Sequence, residues 1–169
     1  MNIMNLKGKA ERVHELLEFI RGEHGSLNYF FDLNKILPIP LPVQLAAEAD
    51  ELATVIKKCF PRQLASFQEV LATAEFDCLV ATGYANADDW ARDIWGTVRN
   101  VSLCKYNKNF PLELTFNSVG SPPRAALAEL SRIFPDIVLE VYYENADLTI
   151  TGWALFADGD GCDERLLKD

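Results

Sequence analysis

The 169-residue chain is poor in the residues on which most catalytic sites are built. Its two histidines, His14 and His24, have no serine or cysteine partner in a nucleophile motif, and G-x-S-x-G is missing, so histidine-assisted hydrolysis is not indicated. The phosphate-cradling patterns G-x-x-x-x-G-K-[ST] and G-x-G-x-x-G are also absent. The four cysteines, Cys59, Cys78, Cys104 and Cys162, form no C-x-x-C pair and have no histidine at zinc-ligand spacing. They read as free thiols in a reducing compartment, with neither a metal site nor a cofactor implied. No apolar run reaches bilayer-spanning length and the N-terminus carries no signal-peptide pattern, so the expectation is a cytoplasmic protein without membrane contact. Basic clusters are missing too. With 25 acidic against 16 basic residues and a formal charge of −9, the chain repels a phosphate backbone, which argues against nucleic acid as partner.

What is present is ordinary globular composition, 49% hydrophobic and 24% charged, in a length that suits one domain with an insertion. "NIMNLKG" reads as a short strand ending at Gly8, and Val13, Leu16, Leu17 and Ile20 recur at helical spacing, with Gly22 and Gly25 closing that helix. "LNYFFDL" reads as a second strand with Tyr29, Phe31 and Leu33 on one face, stopped by Pro38, Pro40 and Pro42. Helical periodicity then takes over. Leu45, Ala49, Leu52 and Ile56 form one stripe, Leu64, Phe67, Leu71 and Ala74 another, and "NADDWARDIWG" a short third helix capped by Asn86 or Asp88.

Alternation resumes in "LELTF". Ser121 is expected to cap the helix in "SPPRAALAELSRIFP", with Pro122 in its first turn and Leu127, Leu130 and Phe134 as its buried stripe. A strand from Ile137 to Tyr143 and another over Leu148, Ile150, Gly152, Ala154 and Phe156 follow, joined at Asn145 and Ala146. Two strand–helix–strand units with a further hairpin strand fit an α+β, ferredoxin-like split βαβ sandwich. The expected strand order is 5, 4, 1, 3, 2, with both helices on one face and the helical insertion joining strands 2 and 3. The domain is thus a single discontinuous one, 1–42 and 101–159, with an insertion at 43–100 and an acidic tail at 160–169.

The segments "FFDLNKILPIP", "WGTVRN", "SPPRAALAELSRIFPDIVLEVYYE" and "GWALFADGD" resemble the YubB ferredoxin-like domain family. Its members are carried on plasmids, phages and genomic islands of Gram-negative bacteria. The resemblance covers residues 1–42 and 95–159 and implies the fold and a mobile-element setting, but no activity. Where that family tends to have Trp-Gly-Thr-Lys-Trp, this chain has Trp95, Gly96, Thr97, Val98 and Arg99, without the lysine and second tryptophan.

The sheet face away from the helices is the place to seek function. On the expected alternation it carries Glu113, Thr115, Val138, Glu140, Tyr142, Thr149, Thr151, Trp153 and Leu155. Pairing Tyr143 with Leu148 sets Tyr142 and Trp153 roughly 13 Å apart along the strands, too far for neighbouring stacking platforms. Glu113 and Glu140 share that face as solvated carboxylates separated by the first strand. Asp158, Asp160 and Asp163 miss the calcium-loop pattern, because Cys162 falls on a ligand position and the glycine is displaced. They read as a solvated turn and frayed tail. The leading reading is a non-enzymatic accessory protein whose partner is another protein, with a DNA-imitating acidic surface as one variant and a homo-oligomer as a further possibility of assembly. The alternative is a small-ligand or enzymatic site where the insertion meets the open face, lined by Trp90, Trp95, Tyr142 and Trp153, with Arg99 nearby in sequence.

Overall fold

The computed structural model describes residues 1–24, 27–29, 31–107, 112–146 and 150–167. The chain divides into two compact units, Met1–Pro38 with Arg92–Asp169, and Ile39–Ala91.

In the first unit, strand β1 (Asn2–Lys7) leads into helix α1 (Ala10–Phe19). A small hairpin follows, β2 (Gly22–His24) and β3 (Leu27–Tyr29). The remaining strands are β4 (Ser102–Asn107), β5 (Leu112–Asn117), β6 (Val138–Glu144), β7 (Ile150–Ala157) and β8 (Asp160–Leu167), with helix α5 (Arg124–Ile133) joining β5 to β6. The main sheet is six-stranded and antiparallel, in the order β4-β5-β1-β6-β7-β8. Helices α2 (Leu41–Cys59) and α3 (Leu64–Thr82) make up most of the second unit, and α4 (Ala87–Ile94) crosses its boundary in sequence.

The fold is α+β, and β1, β4, β5 and β6 with α1 and α5 reproduce the ferredoxin-like strand order. The core lies beneath the helices. Met4, Leu6, Leu114, Phe116, Leu139, Val141, Ala154 and Phe156 point inward at every second position and are buried, against Val13, Leu16 and Ile20 of the first helical segment and Ala126, Leu127 and Leu130 of α5. Each large side chain so buried contributes roughly 1.5–3 kcal/mol. Phe19 meets Phe134 edge-on at 5.5 Å, tying the ends of the two helices together.

Three expectations change. The segment expected as an edge strand, 27–33, does not join the main sheet: Asp32 accepts a hydrogen bond from the Asn34 amide at 3.0 Å and turns the chain into a 3-10 helix at Leu33–Lys35. Its place beside β5 is taken by β4, so the helical stretch precedes the second core strand instead of following it. A register shift between Ser102 and Lys105, with Leu103 at φ 50°, breaks the alternation by which β4 could be recognised.

The acidic tail is also a strand. Asp158 and Gly159, at φ 51° and 87°, form a tight turn that folds β8 back onto β7. Finally, α5 starts after Pro123, and Ser121 does not cap it: the Ser121 hydroxyl donates to the Gly96 carbonyl at 2.9 Å. The expected Leu148 and Thr149, like Gly25, lie outside the described residues.

Candidate functional site: the open face of the sheet

The register of β6 against β7 decides the geometry. Tyr143 pairs with Gly152, not Leu148, and Tyr142 therefore stands directly opposite Trp153. Side chains of an antiparallel pair at such positions lie roughly 4.5–5.5 Å apart at Cβ, so the expected separation of the two aromatics is overturned. The expected pairing requires a tight turn at Asn145 and Ala146. The Asn145 amide in fact reaches the Ile150 carbonyl at 3.1 Å, and the Ile150 amide donates to the Asn145 side chain at 2.9 Å, which closes a longer connection.

The same row continues across the sheet. Lys105, Thr115, Ile3, Tyr142, Trp153 and Glu164 follow one another strand by strand from β4 to β8. Around the aromatic pair lies a groove of about 410 Å³, lined by Ile3, Tyr142, Tyr143, Thr151 and Trp153 together with Glu144 and Glu164. Tyr142 is 45% exposed, unusual for an aromatic ring on a strand.

Beside this row, Glu140 accepts from Lys7 at 2.9 Å and from the Asn5 amide group at 3.5 Å. These bonds, with a further one from the Trp153 indole, hold the Glu140 carboxyl below its ordinary value despite its partial desolvation. Glu113 and Glu140 are each opposite Asn5 in register, so β1 separates them as expected.

On the other face of the same strands, Tyr143 is locked. Its hydroxyl donates to Asp163 at 2.6 Å, and Arg124 at the start of α5 pairs with Asp163 at 2.7 Å while lying over the Tyr143 ring at 5.8 Å. The ring occupies the space where residue 152 would carry a side chain: a Cβ on Gly152 would collide with the Tyr143 ring and come within 2.7 Å of the Glu164 carbonyl. Asp163, expected in a frayed tail, is thus a structural member of the sheet.

Trp95 is 2% exposed, and its indole donates to the Leu37 carbonyl at 2.8 Å. Its neighbours are structural as well. Gly96 has φ 84°, and a Cβ there would sit 2.9 Å from the Arg124 amide nitrogen. The Thr97 hydroxyl donates to the Val119 carbonyl at 2.9 Å and accepts from the Val119 amide. The Trp95-Gly96-Thr97 segment therefore fastens the approach to α5, and Trp95 does not line the groove. Arg99 is exposed, and neighbouring Asn100 instead binds Asp32 at 2.6 Å, joining the two sequence motifs. Trp90 is buried, and Asn86 caps α4 by accepting from the Asp89 amide at 2.8 Å.

His14 is exposed on α1, and the His24 side chain lies outside what is described. Among the described residues no cluster of three His, Cys, Asp or Glu side chains could hold a metal ion. Nor is any helix among them long and apolar enough to cross a membrane. Burial pushes the Cys104 thiol up to about 11, which makes it a poor nucleophile.

No family model matches the chain, and no curated protein does. A solved structure is similar over part of its length: protein api92 from Yersinia pseudotuberculosis, assigned to DUF1281, is 22% identical with a TM-score of 0.43. The match covers 52% of this chain, which spans about a third (32%) of that one.

Proposed function

We propose that this protein is a non-enzymatic binding module that takes a protein partner on the open face of its sheet. The partner segment presents an apolar or aromatic side chain flanked by lysine or arginine. The observation that carries this reading is the direct opposition of Tyr142 and Trp153 at a largely apolar groove that Glu144 and Glu164 also line. Tyrosine and tryptophan are the residues most often responsible for interface affinity, and a cation over such rings gains further attraction. The −9 charge favours the same class of partner by steering.

Adjacent rings would also suit base stacking, but Glu140, Glu144 and Glu164 stand where phosphates would run, and the charge favours a cationic peptide. The motif resemblance to the YubB ferredoxin-like family supports a role as accessory factor of a mobile genetic element. A second reading, a small-ligand site in the same groove, draws support from its volume, which falls within the range of ligand pockets.

The test is a peptide array in which charge and aromatic content vary independently, probed with the wild type and with Tyr142→Ala and Trp153→Ala. Retention of basic, aromatic-bearing peptides, weakened at least tenfold in either variant, is the expected result. Equal retention of acidic peptides would overturn the reading. Absence of peptide binding with uptake of small aromatic cations lost on Trp153→Ala would favour the second.

A further inference from the structure

The main sheet ends in two edge strands, β4 and β8, and they are guarded unequally. Edge strands offer their outer main-chain groups to any extended chain, and proteins blunt them with bulges, lysines and prolines. β4 is blunted in this way by its register shift between Ser102 and Lys105 and by that lysine. β8 pairs with β7 without a shift from Asp160 to Leu167, and it contains neither lysine nor proline.

The register shows which groups of β8 face outward. The Asn145 amide donates to the Ile150 carbonyl, so Ile150 and, at every second position, Gly152 and Ala154 turn their main chain toward β6. Thr151, Trp153 and Leu155 therefore turn toward β8, where Leu166, Glu164 and Cys162 stand opposite them. The main chain of Gly161, Asp163, Arg165 and Leu167 is directed away from the sheet. Exposure agrees with this. Gly161, which has no side chain, is exposed, and so is Asp163, although its side chain, paired with Arg124, is only 21% exposed.

We propose that β8 receives an extended segment of another protein as an added antiparallel strand, with lysine or arginine opposite Asp160 and Glu164 and an apolar residue between them opposite Cys162. This rests on the protein-partner reading above and gives that partner a conformation and a spacing. Asp160, Cys162 and Glu164 alternate onto the open side of the sheet, Glu164 in one row with Trp153 at the groove. Opposite charges directly across a strand pair stabilise it.

A second copy of the chain fits poorly. Because the outward groups belong to odd-numbered residues, a two-fold pairing of β8 with itself must centre on a residue. Centring on Cys162 sets Asp160 against Glu164, and centring on Asp163, Glu164 or Arg165 sets that residue against itself. Like charges directly opposite are destabilising. Centres nearer either end leave at most three strand residues paired.

The test is amide hydrogen exchange of the full chain, with and without the end-blocked peptide Thr-Lys-Thr-Phe-Thr-Lys-Thr, with the Trp153 indole signal followed in the same spectra. The Gly161 and Arg165 amides should exchange fast in the free protein and slow at least tenfold with peptide, whereas those of Cys162 and Glu164, turned toward β7, should be slow throughout. N-methylation of the two inner threonines, whose amides would meet β8, should weaken binding by roughly tenfold or more, and N-methylation of the phenylalanine, whose amide points away, by less than about threefold. Slow exchange of Gly161 and Arg165 in the free protein, or equal sensitivity to the two methylations, would overturn the proposal. Binding that moves the Trp153 indole but leaves both amides unprotected would overturn strand addition and keep the open-face reading. Protection of both amides with Trp153 unmoved would support strand addition and remove the open-face reading.

Discussion

Tyr142 and Tyr143 are neighbours on one strand and have opposite fates. Tyr143 faces the helices, is 8% exposed, and is held by Asp163, Arg124 and the missing side chain of Gly152. Tyr142 faces the open side, stands opposite Trp153, and lines the groove there. One face spends its polar groups on structure, and the other keeps its aromatic surface available. Stability and binding should therefore separate by face.

The sharpest break would come at Gly152. Gly152→Ala forces a side chain into the Tyr143 ring and should destabilise by about 3 kcal/mol or more in urea unfolding. Tyr143→Phe removes a hydrogen bond to a carboxylate and should cost about 1.5–3 kcal/mol, whereas Tyr142→Phe should change stability by less than about 0.5 kcal/mol. Equal costs at the two tyrosines would erase the distinction between the faces.

The open face has its own smaller structural contribution at Glu140. Its folded-state value is depressed, first by the hydrogen bond from Lys7, so its stabilisation is complete above the ordinary glutamate value of 4.5 and is lost as pH falls through the lower folded value. Glu140→Gln should flatten that acid limb, measured as unfolding midpoints from pH 6 downward. Smallest is a difference in thiol reactivity. Exposed Cys162 should react with a neutral disulfide reagent at pH 8 well before Cys104, whose thiol is pushed up to about 11.

The fold was largely legible because period-2 and period-3.6 patterns report burial directly. The inward row Leu112, Leu114 and Phe116, the helix stripe Leu127 and Leu130, and the order of four sheet strands were all readable from it. β4 was not, because its bulge at Leu103 interrupts alternation. β8 carries a signal that its acids obscure: Asp158-Gly159 after an alternating run is strong hairpin chemistry, but the surrounding carboxylates read as a solvated tail. The candidate site depended on register, which the sequence specifies only through the connection, and a connection closed by the Asn145 side chain leaves no tight-turn signature. Trp95 showed the converse failure, since an aromatic in a glycine-bearing loop reads alike whether it binds a ligand or a carbonyl.

The most direct test uses the three indole N–H signals in proton–nitrogen correlation spectra during titration with a short peptide bearing an arginine-flanked aromatic residue. The account predicts that the Trp153 signal moves while that of Trp95, bonded to the Leu37 carbonyl, stays in place. Saturable binding that leaves Trp153 unmoved, or that shifts Trp95 instead, would contradict it.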